Sequence, residues 1–139
     1  MRLAVIGSTN GTDLVPIVGA INSGELLASV EVIISNNELS GILKKASTYG
    51  IESHFICHKN KKRDVFDLEM SQILEGKKID LILLVGFMRI LSSEFVERWR
   101  GKIINVHPSL LPKYAGGMNN DVHESVLAAG DKESGCTIH

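Results

Sequence analysis

Short apolar runs that recur between helix-length stretches constrain this chain more than any other feature. Residues 2 to 7, 30 to 35, 79 to 86 and 102 to 106 are each rich in Val, Ile, Leu or Ala and are followed by glycine or polar residues. Runs of this length and content read as strands buried on both faces. Residues 52 to 57 add a third strand in chain order, and Gly135-Cys136-Thr137-Ile138-His139 reads as the start of a sixth. Between them lie helical stretches. The first resumes at Leu14 with Thr12 or Asp13 as N-cap and tolerates Pro16, because first-turn amides have no intrahelical partner. The second runs from about Glu38 to Tyr49 and stops at Gly50, and the third from Arg63 to Glu75 is closed by Gly76. A short one follows a Ser92 or Ser93 cap and ends before Gly101, and a last one covers about Asn120 to Ala129.

Alternation of this kind implies right-handed crossovers and an α/β fold: a Rossmann-like, mostly parallel sheet with helices on both faces. In the doubly wound order the first and fourth strands are neighbours, and ligands bind at the carboxyl edge where their connections part. Three loops are therefore expected to meet there: Ser8 to Asp13, Gly86 to Leu91, and Asn105 to Pro108. With 139 residues and no linker or repeat, the expectation is a single domain over 1–139. Net charge is −1, from 15 basic and 16 acidic residues, so no global field argues for nucleic acid or a membrane as partner. Met1 to Gly7 reads as a core strand and not as a signal peptide, and Cys57 and Cys136 read as free packing thiols, which together suit a cytoplasmic protein.

Three stretches carry side chains suited to chemistry. In Ile103-Ile104-Asn105-Val106-His107-Pro108, alternate residues share a face, so Asn105 and His107 occupy one face of a strand that Pro108 must end. A histidine caught at a strand end accounts for this pattern as well as a functional one does. Ser8 to Asp13 presents successive amides at a helix start, which suits a phosphate, although a tight strand-to-helix turn would look the same. Neither a dinucleotide G-x-G-x-x-G with a later acidic residue nor a Walker loop is present, so a nicotinamide cofactor is rejected. Gly86-Phe87-Met88-Arg89-Ile90-Leu91 mixes flat, apolar and cationic groups able to hold a heteroaromatic ring, and several of them suit the core equally. The basic run Lys59 to Arg63 lies at the same sheet edge and suits an anionic tail. His54, Cys57 and His58 have metal-binding side chains, but on a strand Cys57 would face away from the two histidines, and no metal is expected.

These motifs resemble the folate-dependent formyltransferases from end to end of the chain. The carriers are Asn10-Gly11-Thr12, Gly86-Phe87-Met88-Arg89-Ile90-Leu91, Asn105-Val106-His107-Pro108-Ser109-Leu110-Leu111-Pro112-Lys113-Tyr114, and Gly130-Asp131 leading to Gly135-Cys136-Thr137-Ile138-His139. The His-Pro-Ser-Leu-Leu-Pro run marks the wider family, and the early Asn-Gly-Thr loop favours its phosphoribosylglycinamide branch. The resemblance implies the formyltransferase fold. It further implies transfer of the formyl group of 10-formyltetrahydrofolate, a co-substrate, to the amine of 5-phosphoribosylglycinamide in purine biosynthesis. Gly11, Thr12 and Asp13 match positions that hold the substrate phosphate. Met88, Arg89, Ile90 and Leu91 match the folate loop, to which Asn105 also contributes, and Arg63 matches a basic residue near the folate glutamate. Asn105 and His107 match the catalytic pair, the amide stabilising an oxyanion and the imidazole assisting proton transfer. The implied protein is a monomer or homodimer whose partners are small molecules.

Two departures from the pattern stand out. Asp13 occupies a position where the family usually has Asn. The family also has a catalytic aspartate just past the position of His139, so the resemblance implies a form truncated at its C-terminal end and weak or inactive as a catalyst. The alternatives are another folate formyl enzyme, formyltetrahydrofolate deformylase or methionyl-tRNA formyltransferase, and a non-catalytic nucleotide-binding module.

Overall fold

The structure is a computed structural model that describes residues 1–107 and 137–138. The helix expected over 120–129, and Cys136, lie outside the described residues. The elements in chain order are β1 (Arg2–Ile6), α1 (Leu14–Asn22), β2 (Ser29–Ser35), α2 (Gly41–Tyr49), β3 (Ser53–Phe55), α3 (Arg63–Gly76), β4 (Leu81–Leu84), α4 (Ser93–Arg98), β5 (Ile103–His107) and β6 (Thr137–Ile138). Contacts divide the chain into two units, Met1–Ile103 and Ile104–His139.

In the first unit, four parallel strands lie in the order β3-β2-β1-β4. The expected neighbours β1 and β4 pair from Leu3↔Leu81 to Ile6↔Leu84. Alternation along the strands then sorts the core into two faces. Ala4 and Ile6 of β1, Val32 and Ile34 of β2, and Ile82 and Leu84 of β4 pack with Phe66, Met70 and Leu74 of α3 and with Phe95 and Trp99. Val5 and Ile33 point the other way, against Leu14 and Val18 of α1 and Ile42 and Ala46 of α2. The sheet is thus covered on both sides, which is why its central strands read as continuous apolar runs. In the second unit β5 and β6 pair antiparallel, with Val106↔Ile138 and His107↔Thr137.

Most helix ends follow the local signals. Gly50 (φ 68°) and Gly101 (φ 74°) adopt the left-handed conformation that only glycine enters without steric cost. The Ser92 hydroxyl accepts the Phe95 N–H at 3.2 Å and caps α4. Three boundaries differ from expectation. α2 begins at Gly41 because Asn37 Oδ1 accepts the Leu39 N–H at 3.1 Å, holding residues 37–39 in a turn until Ser40 can serve as N-cap. α3 runs through Gly76, and the left-handed residue is Lys78 (φ 53°), because burial of Ile79 and its N–H to the Leu74 carbonyl fix the reversal two residues later. β3 spans Ser53–Phe55 where 52 to 57 was expected, so Cys57 and His58 lie beyond the strand.

Candidate substrate-binding crevice

β1 and β4 end side by side, and their connections leave from the same edge of the first unit. β1 is followed by Gly7, where a β-carbon would lie 2.4 Å from the Val85 carbonyl oxygen. Only glycine permits this approach. The loop from Thr9 to Asp13 is then anchored to the start of α2: the Ile42 N–H donates to the Thr9 carbonyl at 3.0 Å and Lys45 Nζ to the Asn10 carbonyl at 2.7 Å. Gly11 is buried with φ 62° against Ile42, whose Cγ1 would lie 2.5 Å from an added β-carbon. Its carbonyl accepts the Leu14 N–H at 3.0 Å, turning the chain into α1.

The amides of Thr12 and Asp13 donate to no protein acceptor among the described residues, and both residues are exposed. A rigid loop with open N–H groups at a helix start can receive an anion. Asp13 takes the N-cap position, but with helical φ and ψ and no hydrogen bond from its side chain. Asp13 is thus the N-cap by position, without the side-chain hydrogen bond such a cap usually makes. Its carboxylate is solvent-exposed instead.

The second loop docks onto the first through Ser8. The Ser8 N–H donates to the Gly86 carbonyl at 3.1 Å, and the Ser8 hydroxyl accepts the Met88 N–H at 2.9 Å. Two of the three expected loops thus meet. Phe87 is buried and Leu91 packs on the core, whereas the Met88 and Ile90 side chains are 56% and 73% exposed. The Arg89 guanidinium lies over the Phe66 ring, 4.8 Å from its centroid, a cation–π geometry. Arg89 Nε is buried with no hydrogen-bond partner among the described residues. Such an orphaned donor costs about 1–3 kcal/mol.

Phe66 belongs to α3, the helix that Arg63 begins. Arg63 is exposed and makes no ion pair among the described residues, whereas Lys61 pairs with Glu69 at 2.9 Å. A cation in the first turn opposes the helix dipole, so helix stability does not account for Arg63 there. Lys59, Lys62 and Arg63 leave this rim basic.

Asn105 and His107 are carried by β5, two residues apart and so at positions of one strand face. Asn105 is half-buried, and the His107 side chain lies outside what is described. His54 pairs with Glu52 at 3.0 Å, His58 Nδ1 lies 3.5 Å from Asn36 Nδ2, and no cluster able to hold a metal occurs among the described residues.

Reading the sequence for sites missed Ser8 and Asn36. The Ser8 hydroxyl donates to Asn36 Oδ1 at 2.6 Å, both residues are buried, and Asn36 in turn faces His58. The signal was present in their positions: each is a polar residue just past a core strand, Ser8 after β1 and Asn36 after β2.

Comparison with known proteins agrees with the fold. The chain is 37% identical to the phosphoribosylglycinamide formyltransferase of Haemophilus influenzae, over 99% of its own length and 64% of that protein. It is 43% identical to the trifunctional purine biosynthetic protein adenosine-3 of Drosophila melanogaster, over 99% of its own length and 10% of that protein. The solved phosphoribosylglycinamide formyltransferase of Coxiella burnetii superimposes with a TM-score of 0.91 at 38% identity, covering all of this chain and 64% of that one. The chain therefore spans less than two-thirds of the length of these relatives. A formyltetrahydrofolate deformylase from Pseudomonas syringae shares the fold at 21% identity. The profile described as formyl transferase matches residues 1–139, and the chain belongs to the formyl transferase family.

Proposed function

We propose that this chain carries the substrate-binding core of an enzyme that moves the formyl group of 10-formyltetrahydrofolate to the amine of 5-phosphoribosylglycinamide, a step of purine biosynthesis. The observation that supports this most directly is the pairing of two unlike half-sites through Ser8. One is an anion-ready loop with open amides at Thr12 and Asp13, and the other is a loop bearing a buried, unpartnered Arg89 Nε. Relatives bearing the phosphoribosylglycinamide formyltransferase name support the identity of the acceptor.

In this reading Gly11, Thr12 and Asp13 hold the substrate phosphate. Met88 to Leu91 line the folate site, with Asn105 contributing, and Arg63 meets the carboxylates of the folate tail. The substrate amine attacks the formyl carbon, and the carbonyl oxygen becomes an oxyanion that the Asn105 amide stabilises by donating its N–H. His107 assists by passing the proton of the attacking amine towards the departing folate nitrogen. The C–N bond to folate then breaks, leaving formylated product and tetrahydrofolate.

Calorimetric titration tests the binding half of this reading. Binding of 5-phosphoribosylglycinamide that is competed by inorganic phosphate, and binding of a formylfolate analogue that weakens in Arg63→Ala, are the expected results. Equal affinity for the substrate lacking its phosphate would sink the assignment of the first loop. In a turnover assay, release of formate without formylated glycinamide product would show a deformylase instead.

A further inference from the structure

We propose that Ser8 is a positioning residue for the 86–91 loop, fixing the segment that receives the folate through a hydrogen-bond chain anchored on Asn36, without itself touching either substrate. The ligand's identity rests on the function proposed above, whereas the chain of contacts stands on the geometry alone.

The loop needs such a device. β4 ends at Leu84, and Gly86 turns the chain with φ 61°, in a region where glycine is free to move. Beyond it, Met88 and Ile90 are exposed, and packing holds the Phe87, Arg89 and Leu91 side chains but not the backbone at Met88. Among the described residues, the hydrogen bonds that tie Gly86 and Met88 to the rest of the protein both end on Ser8. The Ser8 peptide N–H secures the Gly86 carbonyl and its hydroxyl secures the Met88 N–H. The Met88 N–H is thereby occupied within the protein, and ligand atoms must be met by later parts of the loop.

A serine hydroxyl rotates freely unless its hydrogen has a fixed acceptor. Asn36 Oδ1 provides one at 2.6 Å, so the lone pairs of Ser8 Oγ are turned towards Met88. Asn36 is 8% exposed, and its own orientation follows from the same contacts. With Oδ1 accepting from Ser8, Nδ2 is left facing His58 Nδ1 at 3.5 Å. The chain runs from the Met88 N–H through the Ser8 hydroxyl, which accepts from it, to Asn36 Oδ1, to which that hydroxyl donates.

The phosphate-side loop does not share this dependence. Thr9 and Asn10 are anchored separately by Ile42 and Lys45 of α2. Loss of the Ser8 hydroxyl should therefore loosen one half-site and spare the other, a split that a general structural role would not produce.

The test is Ser8→Ala with amide exchange followed by NMR. The Met88 amide is expected to exchange about tenfold faster, while Ile6 and Leu84 amides are unchanged. Affinity for a formylfolate analogue should fall about tenfold and affinity for 5-phosphoribosylglycinamide by less than about twofold. Ser8→Thr, which keeps the hydroxyl, should restore slow Met88 exchange. Asn36→Leu leaves the hydroxyl in place but unfixed, and it provides the same readings if Ser8→Ala does not fold. Unchanged Met88 exchange, equal weakening of both ligands, or failure of Ser8→Thr to restore protection would each overturn the proposal. If the unaltered protein binds no formylfolate analogue, the function proposed above fails, and the Met88 exchange result still decides the role of Ser8.

Discussion

Gly7 and Val85 approach so closely that a β-carbon on the first would stand 2.4 Å from the carbonyl oxygen of the second. This approach brings the ends of β1 and β4 together, and with them the two loops of the crevice. Ile42 Cδ1 stands 2.8 Å from the same point, so the added carbon meets a second neighbour besides the backbone oxygen. Gly7→Ala is expected to lower stability by about 1–3 kcal/mol, as overpacking does. Urea unfolding would show the midpoint falling with little change in slope. An unchanged midpoint would mean that the strand ends part more easily than this geometry allows.

Asp67 of α3 accepts the Ser92 N–H at 2.6 Å while only 3% exposed, and Ser92 caps α4. A buried carboxylate here orients the helix that follows the 86–91 loop. Asp67→Ala leaves the Ser92 amide without its acceptor and should cost about 1–3 kcal/mol. Asp67→Asn keeps one carbonyl oxygen and should cost less. Chemical denaturation of the two variants side by side gives the comparison, and equal losses would assign the effect to the charge.

Asp13 presents a carboxylate at the loop where a phosphate is proposed to bind, and no cap hydrogen bond draws that carboxylate away. Asp13→Asn removes the repulsion. At low salt the substrate phosphate should bind more tightly by about 1 kcal/mol, roughly fivefold, with the gain shrinking as ionic strength rises. Titration with 5-phosphoribosylglycinamide at two salt concentrations checks this. A fivefold loss instead would make Asp13 a direct partner of the ligand.

Glu52, at the surface before β3, is held below its ordinary carboxyl value of 4.5, first by the hydrogen bond from the Lys77 ammonium at 2.7 Å and then by that with His54 at 3.0 Å. A carboxyl lowered in the folded state contributes its stability above the unfolded value and loses it as pH falls through the folded one. The difference in urea midpoint between the unaltered protein and Glu52→Gln should therefore be present at neutral pH and vanish on acidification. A difference that persists at low pH would assign the effect to packing.

The sequence was enough to place the strands and most of the helices, because the signals involved are local. Val32, Ile33 and Ile34, or Ile82 and Leu84, are apolar in succession because both faces of their strand are covered. Gly50 and Gly101 mark turns because a left-handed residue favours glycine wherever it occurs. The same reasoning put Asn105 and His107 two residues apart on one strand, and the loops after β1 and β4, two of the three it expected to meet, do so. It failed at Gly76, where burial of Ile79 carried the helix further, and at Glu38, where the Asn37 side chain holds a turn.

What only the tertiary structure decided are contacts between residues far apart in the chain. Ser8 and Met88 are 80 residues apart, Ser8 and Asn36 are 28 apart, and Asp67 and Ser92 are 25 apart. No periodicity encodes such pairs, since each depends on how β1, β2 and β4 come to lie side by side. The sequence shows Arg89 only as the cationic member of the 86–91 loop, whereas the structure lays its guanidinium over Phe66 with Nε buried. Backbone pattern is written residue by residue, whereas the partner of a buried polar group is set only when the sheet brings distant strand ends together.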